Sequence, residues 1–426
     1  MMHKLLKRGA DYDAAETETG WSCAHFAAFR GNDTIAKILI DCGATLEHLE
    51  KRIGMSPLHV TCREGHEEVA EALMSAGVNV DVRDVRGETP LYYACRSNLV
   101  RSVKNLVRFG ANVNARDKTR RTPLHEACAC QSVRSLRFLL SSHASIYACD
   151  DEDNSPLHVA SASSRLTESL RELLKFETGD KMLRQGWLNG QNIEGRTALH
   201  EACADNNFQG LEMLLKNGAS DRVMDKTKRT CLHIASHKGS IECVRVLLRY
   251  SKTTLNELDE NGFSALHLAS QSGHTVVTQD LLKAGAEVDA KDLLGRTACW
   301  LASRHGHAST VQVLYGVGGA DVNLGNIRGI SPVHVAVLHL HDHVLKMLIE
   351  GNADLNIRTC NRQSVLHVLA GSCVVLKRRA KQIEISELLR KGMSCDSGSW
   401  KDSKGRRARD IAVVMGWSSR DAECVF

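Results

Sequence analysis

A four-residue phrase, Thr-Pro-Leu-His or a near variant, returns throughout this chain. It starts at Ser22, Ser56, Thr89, Thr122, Ser155, Thr197, Thr230, Ser264, Thr297, Ser331 and Ser364. Successive starts lie 34, 33, 33, 33, 42, 33, 34, 33, 34 and 33 residues apart. A period near 33 means that one supersecondary unit is copied and stacked, each copy burying its apolar face against the next. A length of 426 residues alone would suggest several globular domains. The period replaces that expectation with one elongated array in which repeats contact only their neighbours. Such a chain offers a surface rather than a single catalytic cleft.

Each part of the unit has a physical reason. Ser or Thr opens the first helix, where its hydroxyl accepts from an orphan backbone N–H for about 1 kcal/mol. Pro57, Pro90, Pro123, Pro156 and Pro332 take the first helical position, where a missing N–H costs nothing. The second helix carries an apolar stripe such as Val69, Ala72 and Leu73. It ends at Gly43, Gly77, Gly110, Gly218 or Gly285, residues suited to a left-handed terminus. Asn352 is the next best choice at that position and His143 a poorer one. Asp-x-x-Gly then follows, as at Asp84–Gly87, Asp259–Gly262 and Asp292–Gly295, and signals a turn.

The unit "TPLHEACACQSVRSLRFLLSSHASIYACDDEDN" and its copies resemble the ankyrin repeat, from about Leu5 to about Val414. Gly65-His66, Gly273-His274, Gly306-His307 and the Leu-Leu-x-x-Gly-Ala of Leu214–Ala219 carry the same resemblance. It implies an all-α ankyrin-repeat solenoid of stacked helix-loop-helix units with short β-hairpin turns. It implies a concave face and hairpin tips that bind protein. It also implies a structural hydrogen-bonding role for the histidine of the phrase, at His25, His59, His125, His158, His200, His233, His267, His334 and His367. Tyr92 and Trp300 replace that histidine in two units, which an essential ligand set would not accept. Asn114 after Leu106, and Asn356 after Leu348, resemble asparaginyl hydroxylase substrates under a loose rule.

Composition narrows the function classes. A net charge of +5 on 55 basic and 50 acidic residues does not suggest a nucleic-acid binder. No apolar run reaches membrane-spanning length, and no signal-peptide pattern opens the chain. Cys62, Cys95, Cys128 and Cys203 of the fifteen cysteines share one buried repeat position. Packed helices lie about 8–10 Å apart, whereas a disulfide needs Cα atoms within about 7 Å. The column is therefore expected neither to crosslink nor to gather a metal. Free thiols suit a reducing compartment, so a cytoplasmic location is expected, with the nucleus as a second one. "KRRAK" at Lys377–Lys381 is a short basic run of the kind a nuclear-import patch uses. His339 and His343, four apart, suit a metal pair if helical, but no ligand beyond Asp342 completes it. No catalytic motif, cofactor site or metal site is assigned, and the chain is read as a binding protein rather than an enzyme.

The expected division is a partial repeat over 1–21, the array over 22–405, and a degenerate capping repeat over 406–426. Longer loops are expected near 176–194 and 371–386. Two readings of these long intervals stand, tolerated surface drift or contact with a partner. Trp187 in the first is the candidate contact, since Trp is enriched at binding hot spots. Two readings of residues 1–10 also stand: an improvised cap, or a chain that is a piece of a longer protein. The remaining candidate partner-binding residues are basic tip residues. They are Arg83, Arg86, Arg116, Lys118, Arg120 and Arg121 early in the array, then Lys226, Lys228 and Arg229. Acidic tips intervene at Asp150–Asp153 and at Glu257, Asp259 and Glu260. A solvated mixed-charge rim and a surface matched to a complementary partner both account for these blocks.

Overall fold

A computed structural model describes residues 11–162, 167–176, 181–251, 253–372, 379–391, 393, 399–415 and 422. The chain falls into two compact units, Met1–Ser220 and Asp221–Phe426. The first holds the helix pairs Cys23–Arg30 with Asp33–Asp41, Pro57–Glu64 with Glu67–Ser75, and Pro90–Arg96 with Val100–Arg108. Pro123–Ala129 with Val133–Ser141, Pro156–Ser161 with Glu168–Lys175, and Ala198–Ala204 with Phe208–Lys216 follow. The second unit holds Cys231–Lys238 with Ile241–Tyr250, Ala265–Ser272 with Thr275–Lys283, and Ala298–His305 with Ala308–Gly316. It continues with Pro332–Leu338 and Asp342–Glu350, Val365–Gly371 and Arg379–Arg390, and a last helix, Ala408–Val414. Among the described residues no helix is long and apolar enough to cross a membrane.

The phrase histidine does two jobs. In repeat after repeat its Nδ1 accepts from the backbone N–H of the Ser or Thr three residues earlier, at 3.1 Å for Ser56–His59 and Thr122–His125. That contact places the ring proton on Nε2. Nε2 then donates to the carbonyl just before the next repeat's first helix: His25 to Met55 at 2.9 Å, His59 to Glu88 at 3.1 Å, His125 to Asn154 at 3.0 Å and His367 to Arg406 at 2.9 Å. The two replacements keep the link. Tyr92 donates to the carbonyl of Arg121, and Trp300 Nε1 donates to Ile330 O at 2.8 Å. The last helix departs from the pattern at both positions. Asp410 accepts from the backbone N–H of Arg407 at 2.8 Å, so a carboxylate stands where the histidine ring would.

The core is a column of small and branched apolar residues. Leu58, Leu91, Leu124 and Leu157 of the phrase are buried, as are Cys62, Cys95, Cys128 and Cys203. Burial pushes the Cys62 thiol up to about 12, so it stays protonated. In the second helix Val69, Ala70, Leu73 and Met74 form the buried stripe, while Ala72 is only half-buried.

The tips are short turns with almost no strand. Among the described residues the only ladder contacts are isolated bridges, Ala15 with Ser22, Arg358 with Ser364 and Lys401 with Arg407. An Asp side chain holds most turns, with Asn192 and Asn326 doing the same in theirs: Asp84 Oδ1 accepts from the N–H groups of Arg86 and Glu88 at 2.9 and 2.8 Å. The turns are too short to extend into strands. They are joined one to the next by a single backbone bond, as from Lys118 N to Arg86 O at 2.9 Å and Asp151 N to Thr119 O at 3.0 Å.

One tip position is left-handed throughout, with φ 72° at Gly295 and 60° at Arg120. A Cβ on Gly295 would sit 2.9 Å from the backbone nitrogen of Ile327 on the next tip. Gly295→Ala is expected to cost about 1–2 kcal/mol, the left-handed penalty of a side chain, read as a lower denaturation midpoint. An unchanged midpoint would mean the tip relaxes toward the Arg120 geometry without cost.

The two long intervals are not plain loops. The expected loop at 176–194 contains the helix Lys181–Leu188, and the span 371–386 runs into the second helix of its repeat from Arg379. The first becomes helical because it has an apolar side to bury, Trp187 and Leu188. Its polar side closes the gap around it. Arg184 Nη2 donates to Leu174 O at 3.1 Å and to Asn217 Oδ1 at 2.9 Å, and Gln185 Nε2 donates to Gly218 O at 3.3 Å. Residues 1–10, 373–378, 416–421 and 423–426 lie outside the described residues, so part of the expected half-repeat, of the basic run Lys377–Lys381 and of the C-terminal segment does too.

Candidate protein-binding surface

The basic tips of the first unit form a consecutive set. Arg83, Arg86, Arg116, Lys118 and Arg120 are exposed, and the tip-to-tip bond from Lys118 to Arg86 sets their order. They are not equally available. Arg83 Nη1 donates to the carbonyls of Arg116 and Gly87, the latter at 3.1 Å, so its guanidinium braces two tips. Arg120 lies 3.9 Å from Asp151, a screened surface pair worth little. Arg121 is half-buried, with Nη2 3.9 Å from Glu126. Its exposed neighbours Arg86, Arg116 and Lys118 are the better candidates for contact.

Behind these tips the first helices carry an ion-pair chain. Arg96 donates to Glu88 at 2.8 Å and to Glu126 at 2.6 Å, and its ring neighbour Tyr93 donates to Asp84 at 2.8 Å. The chain ties first helix to tip within and between repeats. Beside it opens a groove of about 710 Å³, lined by Thr119, Arg121, Ala129, Asp151, Glu152 and Glu201 among others. Small residues, Ala129 and Ala162, make the depression. Burial raises the Glu201 carboxyl above its ordinary value.

Trp187 does not belong to this surface. It is 6% exposed, at the end of the insertion's helix. The reason is the helix it sits on, whose last two residues, Trp187 and Leu188, are turned away from solvent. Its indole Nε1 has no hydrogen-bond partner among the described residues. In the second unit Lys226 and Lys228 are exposed, but Arg229 is half-buried and donates to the buried Asp259 at 3.1 Å. Arg229 therefore holds a tip in place.

The other singled-out groups are accounted for locally. His339 ends one helix and His343 lies in the next, so they do not share a helical face. His339 stacks on His341 at 5.9 Å, and exposed His343 lies 3.6 Å from Asp342. Among the described residues no three His, Cys, Asp or Glu side chains are grouped to hold a metal. Asn114 accepts from Ser145 N at 2.8 Å, and the backbone N–H of Asn356 donates to Asp354. Reading the tips by charge passed over one feature. Leu293, Leu294 and Ile327 stand exposed at tip positions, and the signal was present in "DLLGR" and "NIRGI", two adjacent apolar tips, where Val85 and Ile193 are single exposed apolar residues at the same position of other tips.

The family profile described as "Ankyrin repeats (3 copies)" matches residues 1–84, 76–150, 136–225, 219–292, 277–359 and 298–397. Curated relatives resemble parts of the chain. The transient receptor potential cation channel subfamily A member 1 homolog of Caenorhabditis elegans is 28% identical over 195 residues, 46% of this chain and 16% of that protein. The B-cell lymphoma 3 protein homolog of Mus musculus is 30% identical over 190 residues, 44% of this chain and 42% of that protein. SH3 and multiple ankyrin repeat domains protein 2 of Homo sapiens is 34% identical over 146 residues, 34% of this chain and 8% of that protein. The match thus spans less than half the length of each of these relatives.

Proposed function

Because this chain belongs to the ankyrin repeat family, we propose that it is a scaffold or adaptor that binds one or more protein partners through its tips and first-helix face. One observation carries the reading most. Arg86, Arg116, Lys118 and Arg120 stand exposed on consecutive tips that the backbone bonds hold in register. A preordered row of cations loses little entropy on binding. It sets register and on-rate toward an acidic protein surface more than raw affinity. The partner lies in the reducing compartment that free thiols fit, the cytoplasm or the nucleus.

The test is crosslinking capture from the native cell with the intact chain beside Arg116→Ser, Lys118→Ser, Arg120→Ser. Association of a recovered partner is expected to slow at least tenfold in the variant at low salt, with unchanged melting. A partner that binds both chains alike at low salt would remove these tips from the interface.

A second reading is that the chain is the regulatory or substrate-recognition array of a larger protein. The length of the matched relatives favours it: the chain spans 16% of the worm channel homolog and 10% of the Arabidopsis thaliana protein named E3 ubiquitin-protein ligase KEG. Recovery of a longer product of the same gene in the capture would support this reading. Both readings describe a binding module and assign no catalytic step.

A further inference from the structure

In the second unit the tips change character in a fixed order. The tip before Ser264 exposes Glu257 and Glu260. The next two expose apolar side chains, Leu293 at 71% and Leu294 at 48%, then Ile327 at 66%. From Arg328 onward the tip turns expose cations, Arg358, Lys401 and Lys404, although Asp354 stands exposed just before the Arg358 tip. Lys291 also stands exposed on the Leu293 tip, between the two charged ends.

The order is built into the backbone. Leu293 N donates to Asn261 O at 3.2 Å, Ile327 N to Leu294 O at 3.1 Å, Cys360 N to Arg328 O at 3.0 Å and Ser403 N to Asn361 O at 2.9 Å. Arg358 is held as well, its guanidinium 3.9 Å from the centre of the Trp400 ring. Leu293 and Ile327 reach over the bare glycines of the preceding tips, Gly262 and Gly295. They still leave most of their surface in water, far more than a contact made for stability alone requires. Exposed apolar groups rimmed by charge mark interaction sites.

We infer that these tips form a docking strip for an extended peptide that is cationic at one end, apolar in the middle and anionic at the other. The cationic end meets Glu257 and Glu260, two apolar side chains cover Leu293, Leu294 and Ile327, and the anionic end meets Arg328 and Lys404. Stacked repeats advance about 8–10 Å, and an extended chain about 3.3 Å per residue. The peptide therefore places one anchor about every three residues. This inference rests on the reading of the tips as a protein-binding surface and adds the partner's chemistry.

The experiment selects a phage library of random 12-residue peptides on the whole chain. The selected peptides are then synthesised and their affinities measured by fluorescence anisotropy. The proteins compared are the wild type, Leu293→Ser with Ile327→Ser, Arg328→Glu with Lys404→Glu, and the first-unit variant Arg116→Ser, Lys118→Ser, Arg120→Ser. A shared cation–apolar–anion pattern is expected, with a loss of at least tenfold in each second-unit variant and none in the first-unit one. Melting curves establish folding, and Leu293→Gln with Ile327→Gln replaces the serine pair if that pair unfolds. The strip is overturned if no peptide is selected, or if selected peptides bind the second-unit variants as they bind wild type. Peptides lost only on the first-unit variant would overturn the strip while leaving the tips a protein-binding surface.

Discussion

Acidification from pH 7 to about 4.5 is expected to unfold this chain, ahead of most of its carboxylates. Burial lowers the histidines of the phrase more than the carbonyls they donate to raise them, pushing His59, His125 and His334 down to about 4. His25, His158, His233, His267 and His367 move in the same direction for the same cause. In the unfolded chain these rings titrate near 6.5. Between 6.5 and 4 the unfolded chain therefore binds more protons, and stability falls as pH falls. The stabilisation is complete above 6.5 and has gone once pH passes the folded value. A drop from 6.5 to about 4 corresponds to about 3 kcal/mol for one ring. Three such rings approach the whole stability of a typical domain, about 5–15 kcal/mol. Glu172, held down to about 2 by Arg137 and Lys175, titrates below this window and does not contribute to it.

Urea midpoints at pH 7.5, 6, 5 and 4.5 check this, and a midpoint flat over that range would refute it. The structure also supplies an internal comparison. The repeats that use Tyr92 and Trp300 make the same link with groups that do not titrate here. Their helices are expected to keep hydrogen-exchange protection longest as pH falls, each within its own compact unit.

Trp187→Ala is expected to destabilise the first unit by about 3–5 kcal/mol, the cost of emptying a large buried aromatic site. Trp187→Phe is expected to change stability little. It keeps most of the buried ring and removes an indole N–H that has no partner among the described residues, and a buried unpaired donor costs about 1–3 kcal/mol. Chemical denaturation of both variants gives the comparison. Partner binding should survive in the folded phenylalanine variant. A Trp187→Phe chain that melts normally yet loses its partner would return this residue to the interface.

How far the residues alone led depended on periodicity. The helix pairs, the caps, the buried cysteine column and the histidine link all follow from side chains that recur in phase, so each copy checks the others. Even His143, a poor choice by type, takes the left-handed terminus at φ 62° because its position in the period demands it. The burial of Trp187 was not legible because the insertion has no period. A lone Trp there is hot-spot-like by type, and only the helix around it shows which way it faces. Arg121 and Arg229 count as tip cations in the chain and as half-buried tip residues in the fold, Arg229 through a partner one repeat away, Asp259, and Arg121 beside Glu126 of its own first helix. Leu293 and Ile327 were missed for the opposite reason. Apolar residues are expected inside, and charge alone was followed along the tips.

The carbonyl that receives His25, His59, His125 or His367 stands immediately before the next repeat's first helix, and so does the one that receives Tyr92 or Trp300. A recombination that removes or duplicates one whole period therefore rejoins the same kind of donor to the same kind of acceptor. No bond is orphaned at the seam, and no core residue loses the neighbour type it was matched to. Arrays of this design can change length by one unit in a single genetic event. The nine-residue insertion carrying Trp187 is a different kind of change, since it needed its own helix and its own polar contacts to be accommodated.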